Sequence, residues 1–114
     1  MSFLSDKDRA NLIAILSSAS KIEIYTREIA NYNQFYEDEK TFDSVLMNFV
    51  VIGESVAKLS ADFKRSQPEI PWSRIKSFRD FIAHNYFGID SEEIWQLIHS
   101  HLPKLKIDVQ KILE

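Results

Sequence analysis

The stretch Phe42-Asp43-Ser44-Val45-Leu46-Met47-Asn48-Phe49-Val50-Val51-Ile52-Gly53-Glu54-Ser55-Val56 decides the fold. Its apolar residues do not alternate as they would in a half-buried strand. They return every three or four positions, so Phe42, Val45, Phe49, Ile52 and Val56, continued by Phe63, share one face of a helix. Met47, Val50 and Val51 lie on another face, which Glu54 and Lys58 extend. Two apolar faces imply two packing partners: the rest of the chain for one, and a surface open to a second copy for the other. Thr41 or Asp43 is the expected cap.

The same periodicity runs outward in both directions. Upstream, Ser5 followed by Asp8 resembles a capping arrangement, and Leu12, Ile15, Leu16, Ala19, Ile22 and Ile29 form the stripe of a long first helix expected to end near Tyr32. Residues 33–40 read as a polar connection with aromatic anchors. Downstream, Pro68 and Pro71 disfavour helix in the residues before them, and Pro71 is suited to open a third helix. That helix directs Trp72, Ile75, Phe78, Phe81 and Ile82 toward a core. Gly88 is the expected stop, and Asp90 or Ser91 caps a fourth helix with Ile94, Trp95, Leu97 and Ile98. Pro103 fits the first turn of a short fifth helix, which buries Leu102, Leu105, Val109 and Ile112. The expectation is all-α: one compact bundle of four to five helices, a single domain over residues 1–114.

Composition removes several chemistries. Without cysteine there are no disulfides, thiolate metal sites or cysteine nucleophiles, which fits a reducing cytoplasm. The opening Met1 to Asp8 lacks the basic start and apolar run of a secretory leader, and no segment approaches bilayer-spanning length. The histidines do not form a His-Glu-x-x-His pair and the acids show no calcium-loop spacing, so no metal is expected. Glu37-Asp38-Glu39 reads as a solvated turn, and His99 and His101 as helix-end residues. No phosphate-binding glycine loop or Gly-x-Ser-x-Gly elbow occurs. With a net charge of −3, a polyanion would have to be bound locally. Lys64, Arg65, Arg74, Lys76 and Arg79 offer such a patch, or simply a solvated basic face.

The chemistry concentrates in Arg79-Asp80-Phe81-Ile82-Ala83-His84-Asn85-Tyr86. Arginine presents a donor fork matched to phosphate oxygens, and histidine titrates near neutral pH. Arg79 and Tyr86, seven apart, project from nearly the same side of a helix, and Asp80 is placed four before His84, where it could steer the imidazole. Arg79 and His84, five apart, diverge by roughly 140° around a regular helix. They converge only if the arginine curls round, if the helix loosens near His84, or if two chains face each other across a symmetry axis. Glu54 would lie at such an interface, or pair with Lys58 on the surface.

The pattern Arg-x4-His-x-Tyr, with polar Asp80 after the arginine, resembles the signature of HEPN ribonucleases, specifically the HepT toxins. Phe35 to Thr41, Val51 to Ser55, Pro68 to Trp72, His84 to Asp90 and Ile94 to Leu105 look like HepT segments in the same order. The resemblance implies a homodimer whose two Arg-His motifs meet in one cleft and cleave RNA without metal or cofactor. His84 would serve as general base or acid and Arg79 as stabiliser of phosphate charge, with Asp80 and Asn85 orienting and Glu54 supporting. It further implies a partner antitoxin, a minimal nucleotidyltransferase of the MntA type, that moves AMP from ATP to Tyr86. The alternative within the same fold is a noncatalytic HEPN partner that assists a nucleotidyltransferase.

Overall fold

The computed structural model describes residues Leu4–Glu114; Met1 to Phe3, part of the stretch read against a secretory leader, lie outside the described residues. Helix α1 runs Asp6–Thr26, α2 Tyr32–Glu37, α3 Glu39–Lys58, α4 Ala61–Ser66, α5 Trp72–Asn85, α6 Ser91–Ser100 and α7 Leu102–Leu113, with a 3-10 turn at Tyr86–Gly88. No strand occurs among the described residues, as the periodicity requires. Five of the helices have ten residues or more; α2 and α4 are the short additions that the apolar pattern did not register.

The first helix starts as expected. Ser5 Oγ accepts the Asp8 N–H at 3.0 Å, satisfying one of the unpaired donors of the first turn. Leu12, Ile15, Ala19 and Ile22 are fully buried on its inner stripe. The helix stops at Thr26 rather than near Tyr32, and Thr26 Oγ1 donates back to the Ile22 carbonyl at 2.8 Å. Beyond it the chain restarts: Asn31 Oδ1 accepts from Gln34 N–H, and Gln34 Oε1 accepts from Ala30 N–H. The Asn31 cap, with Gln34 holding the residue before it, makes α2 out of what read as a polar connection. Phe35 is fully buried there, with its ring 5.6 Å from Phe42 and 5.2 Å from Trp95.

Helix α3 is capped by Asp38, not by Thr41 or Asp43. Asp38 accepts both the N–H and the hydroxyl of Thr41, and these bonds hold its carboxyl below the usual range. Val45, Leu46, Phe49, Ile52 and Val56 are buried along the helix. Phe63 does not continue that face on α3, because the helix ends at Lys58 and Ser60 caps the separate α4. Helix α3 lies between α1 and α5 and also touches α2 within the chain. Met47 nevertheless remains exposed.

Helices α1, α6 and α7 complete the bundle, with α7 on α1 and α6 on α7. Pro103 sits in the first turn of α7, where its missing N–H costs nothing. Lys106 of α7 reaches Glu23 of α1 at 2.5 Å. Asp90 caps α6, and Tyr32 meets Ser91 at 3.0 Å to tie α2 to its start.

Helix α5 is the exception to this closure. Only Trp72 and Ile82 of its fourteen residues are buried. Ile75 and Phe78 pack against the core half-covered, while Phe81 is exposed rather than directed inward. The helix rests on α3 and leaves an apolar groove of about 640 Å³, lined by Phe49, Ile75, Phe78, Leu97, Leu102 and Leu105 among others. It ends at Asn85, three residues before Gly88, and Gly88 itself is not left-handed. Among the described residues no helix is long and apolar enough to cross a membrane.

Candidate functional site

Gly53 determines how closely α5 can approach α3. A Cβ on Gly53 would lie 2.5 Å from the Cβ of Arg79, closer than carbon atoms pack, so any side chain there would force the helices apart. Glycine in the middle of a helix weakens it by about 0.5–1 kcal/mol relative to alanine; here it lets the root of Arg79 seat directly on α3. The ring of Phe78 meets that of Phe49 edge-on at 5.4 Å one turn away, fixing the same contact.

From that seat the guanidinium reaches two carboxylates. Arg79 Nη1 donates to Glu54 Oε1 at 3.1 Å and Nε to Asp80 Oδ1 at 3.2 Å, with the arginine side chain 22% exposed. Glu54 therefore pairs across helices with Arg79, not along α3 with Lys58. Asp80 pairs with Arg79 as well, and no hydrogen bond joins it to His84 among the described residues. The cation is pre-oriented, and a phosphate would have to replace one or both carboxylates to take its donors.

His84 lies on the last turn of α5, exposed. No hydrogen bond connects it to Arg79 among the described residues, in line with their angular separation on a helix that stays regular through His84. Asn85 Nδ2 donates to the Phe81 carbonyl at 3.0 Å and so closes the helix end. The backbone then tightens into the 3-10 turn, which carries Tyr86 and Phe87 outward. Phe87 is wholly exposed, and its ring meets that of Tyr86 edge-on at 5.1 Å.

Tyr86 is anchored by a residue that the sequence had offered only as a helix cap. Its hydroxyl donates to Asp43 Oδ1 at 2.7 Å, spanning from the 3-10 turn to the first half of α3. That hydrogen bond, with some desolvation and the charges of Asp43 and Glu39, pushes the phenol's pKa above its ordinary value. Gly53 and Asp43 are thus the two residues to which the sequence reading gave no part in the site. An isolated glycine inside an apolar helix was the visible signal for the first; nothing in the spacing marked the second, which lies 43 residues from its partner.

The remaining charged residues divide by location. Arg65 pairs with Asp62 on α4, and Lys64 reaches the Val56 carbonyl, whereas Arg74 and Lys76 are exposed on α5. Arg74 borders the apolar groove, which does not include Arg79, His84 or Tyr86. His99 bonds the Trp95 carbonyl at 2.8 Å and packs on its indole, a helix-end role. No group of three or more acids and histidines placed to hold a metal ion occurs among the described residues.

Comparison with known proteins bears on the same residues. The family model described as "Ribonuclease HepT-like" matches residues 15–112, which include every residue of the site. The protein named "Probable ribonuclease HepT" from Thermococcus cleftensis is 37% identical over 98 residues, 86% of this chain and 88% of that one. From Methanocaldococcus jannaschii, "Putative RNase MJ0127" is 33% identical over 93% of this chain and 87% of its own length. "Putative RNase MJ1380" from the same organism is 32% identical over 94% of this chain and 98% of its own. No solved structure gives a significant match. A family model covering most of the chain and relatives matched over nearly their whole lengths give one answer: this chain belongs to the HepT-like ribonuclease family.

Proposed function

We propose that this chain is a metal-independent endoribonuclease, the toxin of a HepT/MntA-type pair, acting as a homodimer with Arg79 and His84 of both protomers facing one RNA strand. The observation that carries the reading is the outer side of α5. A helix that buries two of fourteen residues, carries an exposed histidine on its last turn beside an oriented arginine and leads into an exposed tyrosine and phenylalanine is built to meet something outside the protomer. A second copy meets it best, because Met47 of α3, Phe81 of α5 and Phe87 of the 3-10 turn are exposed apolar groups.

In this reading His84 takes the proton from a ribose 2′-hydroxyl, whose oxygen attacks the adjacent phosphorus. The 5′-oxygen of the next nucleotide leaves and is protonated, and a 2′,3′-cyclic phosphate remains. Arg79 releases Glu54 or Asp80 and donates instead to the phosphate oxygens as charge builds on them. Glu54 and Asp80 hold the guanidinium in place until then, and Asn85 fixes the turn that presents His84. The partner is a minimal nucleotidyltransferase that attaches AMP to Tyr86. An added phosphodiester on the same side of α5 as Arg79 would compete for its donors and block the strand.

The double carboxylate on Arg79 also favours a second reading. A guanidinium already neutralised by Glu54 and Asp80 suits a noncatalytic HEPN partner that binds a nucleotidyltransferase through the same surface. One experiment separates the two. Purified, unmodified protein is incubated with end-labelled single-stranded RNA in excess EDTA. The ribonuclease reading expects fragments ending in cyclic phosphate, no cut where the 2′-hydroxyl is methylated, and a loss of about 10²–10⁴-fold in H84A. Intact RNA with folded dimer, or an H84A chain that cuts as fast as wild type, would defeat it.

A further inference from the structure

Asp43 has no structural assignment that explains it. Asp38 caps α3, so Asp43 does not, and the Tyr86 hydroxyl at 2.7 Å is its one hydrogen-bond partner among the described residues. Both residues are exposed, so the bond lies at the surface of the molecule. A protonated phenol is a weak nucleophile. Here the neighbouring acids Asp43 and Glu39 make early ionisation harder still. The proton must therefore leave while the new bond forms, to a base already in contact with it.

We propose that Asp43 is the proton acceptor for nucleotidyl transfer onto Tyr86, an inference that rests on the acceptor role given to Tyr86 above. Tyr86 Oη attacks the α-phosphorus of ATP, delivered with Mg²⁺ by the transferase. The Oη–P bond forms, the bond from the α-phosphorus to the oxygen bridging it to the β-phosphate breaks, and pyrophosphate departs. The phenolic proton passes to the Asp43 carboxylate and from there to solvent. The product no longer has a hydroxyl to donate, and its new phosphodiester carries a negative charge beside Asp43 and Glu39. Those carboxylates repel it, which biases the adenylate away from Asp43 and Glu39 and toward Arg79, the cation it must occupy to silence the site.

The test measures initial rates of adenylate incorporation at Tyr86 by mass spectrometry, using a purified minimal nucleotidyltransferase of the MntA type with Mg-ATP. Wild type, D43N, D43E, D43A and Y86F are compared across pH. D43N keeps an oxygen that accepts from the phenol but cannot take its proton, so transfer should fall by about 10²-fold. Its rate should then climb with pH toward tyrosine ionisation, where the wild-type profile is flatter, and D43E should recover part of the loss. A residue that merely positions the ring would leave the D43N profile parallel to wild type. Equal rates and parallel profiles in D43N would overturn the proposal and give the proton to the transferase, with Tyr86 still the acceptor. Wild-type protein labelled elsewhere, or not at all, would overturn the acceptor reading itself.

Discussion

Asp8 and Asp43 each accept a hydroxyl hydrogen bond from far along the chain, from Ser60 Oγ at 2.7 Å and Tyr86 Oη at 2.7 Å. At the α1–α4 corner Asp8 also takes the Ser60 N–H at 2.8 Å, and the residue is 3% exposed. Burial pushes that carboxyl up, but the bonds from Ser60 and Ser5 outweigh it and hold the pKa below the ordinary range. At the α3–α5 corner the same chemistry stands in water, with a single donor that is itself 43% exposed. The first carboxylate secures two helix starts at once. The second is free to exchange what it holds, which is what a reacting site needs and a structural one does not.

The comparison can be tested by removing each corner in turn. D8A removes the buried carboxylate that holds Ser60 at the start of α4 and should cost about 1.5–3 kcal/mol in denaturant unfolding, the range for hydrogen bonds to a charged group. The sign of the pH effect follows from the lowered pKa. A carboxyl that releases its proton more readily when folded adds stability above the unfolded value of roughly 3.9, and that contribution is lost as pH falls through the folded value. D8N should therefore lose stability at neutral pH and show a shallower acid limb than wild type. An unchanged acid limb would mean that the Asp8 bonds contribute nothing.

G53A comes next. The new methyl must push against the Arg79 Cβ, and overpacking of this kind costs about 1–3 kcal/mol, offset in part by the better helix propensity of alanine. Its distinguishing mark is a displaced Arg79. RNA affinity and cleavage should drop more than the melting temperature accounts for, whereas a destabilised D8A chain should bind RNA normally below its melting point. Similar RNA affinity in G53A and wild type would show that the close α3–α5 approach is only packing. Smallest is D43A, which should barely move thermal unfolding, because it removes one solvent-exposed bond. A large loss of stability there would place Asp43 in the same class as Asp8 and erase the contrast.

The fold was legible where local chemistry controls it. The apolar spacing gave the long helices, Ser5 and Asp90 cap where expected, and Pro103 opens α7. Errors fell at the junctions. Asn31 and Gln34 form a cap that a search for Ser or Thr with Glu overlooks, so α1 was drawn too long and α2 missed. Ser60 divides α3 from α4 where the helical spacing of Val56, Leu59 and Phe63 shows no break, because Asp8, 52 residues upstream, supplies the acceptor that stabilises the interruption. The site divides in the same way. Arg79, His84 and Tyr86 could be named from one eight-residue run, but their partners could not.

By itself the sequence determined an all-helical chain, the helix that carries most of the Arg79-to-Tyr86 motif, and membership in a ribonuclease family, since each depends on residues close together or on a pattern spread along the whole length. Only the tertiary structure decided that Arg79 is held by Glu54 and seated on Gly53, and that Tyr86 is held by Asp43. Those pairings depend on how closely and at what rotation α5 lies on α3. That packing is set jointly by side chains on both helices, and no single stretch of sequence contains it.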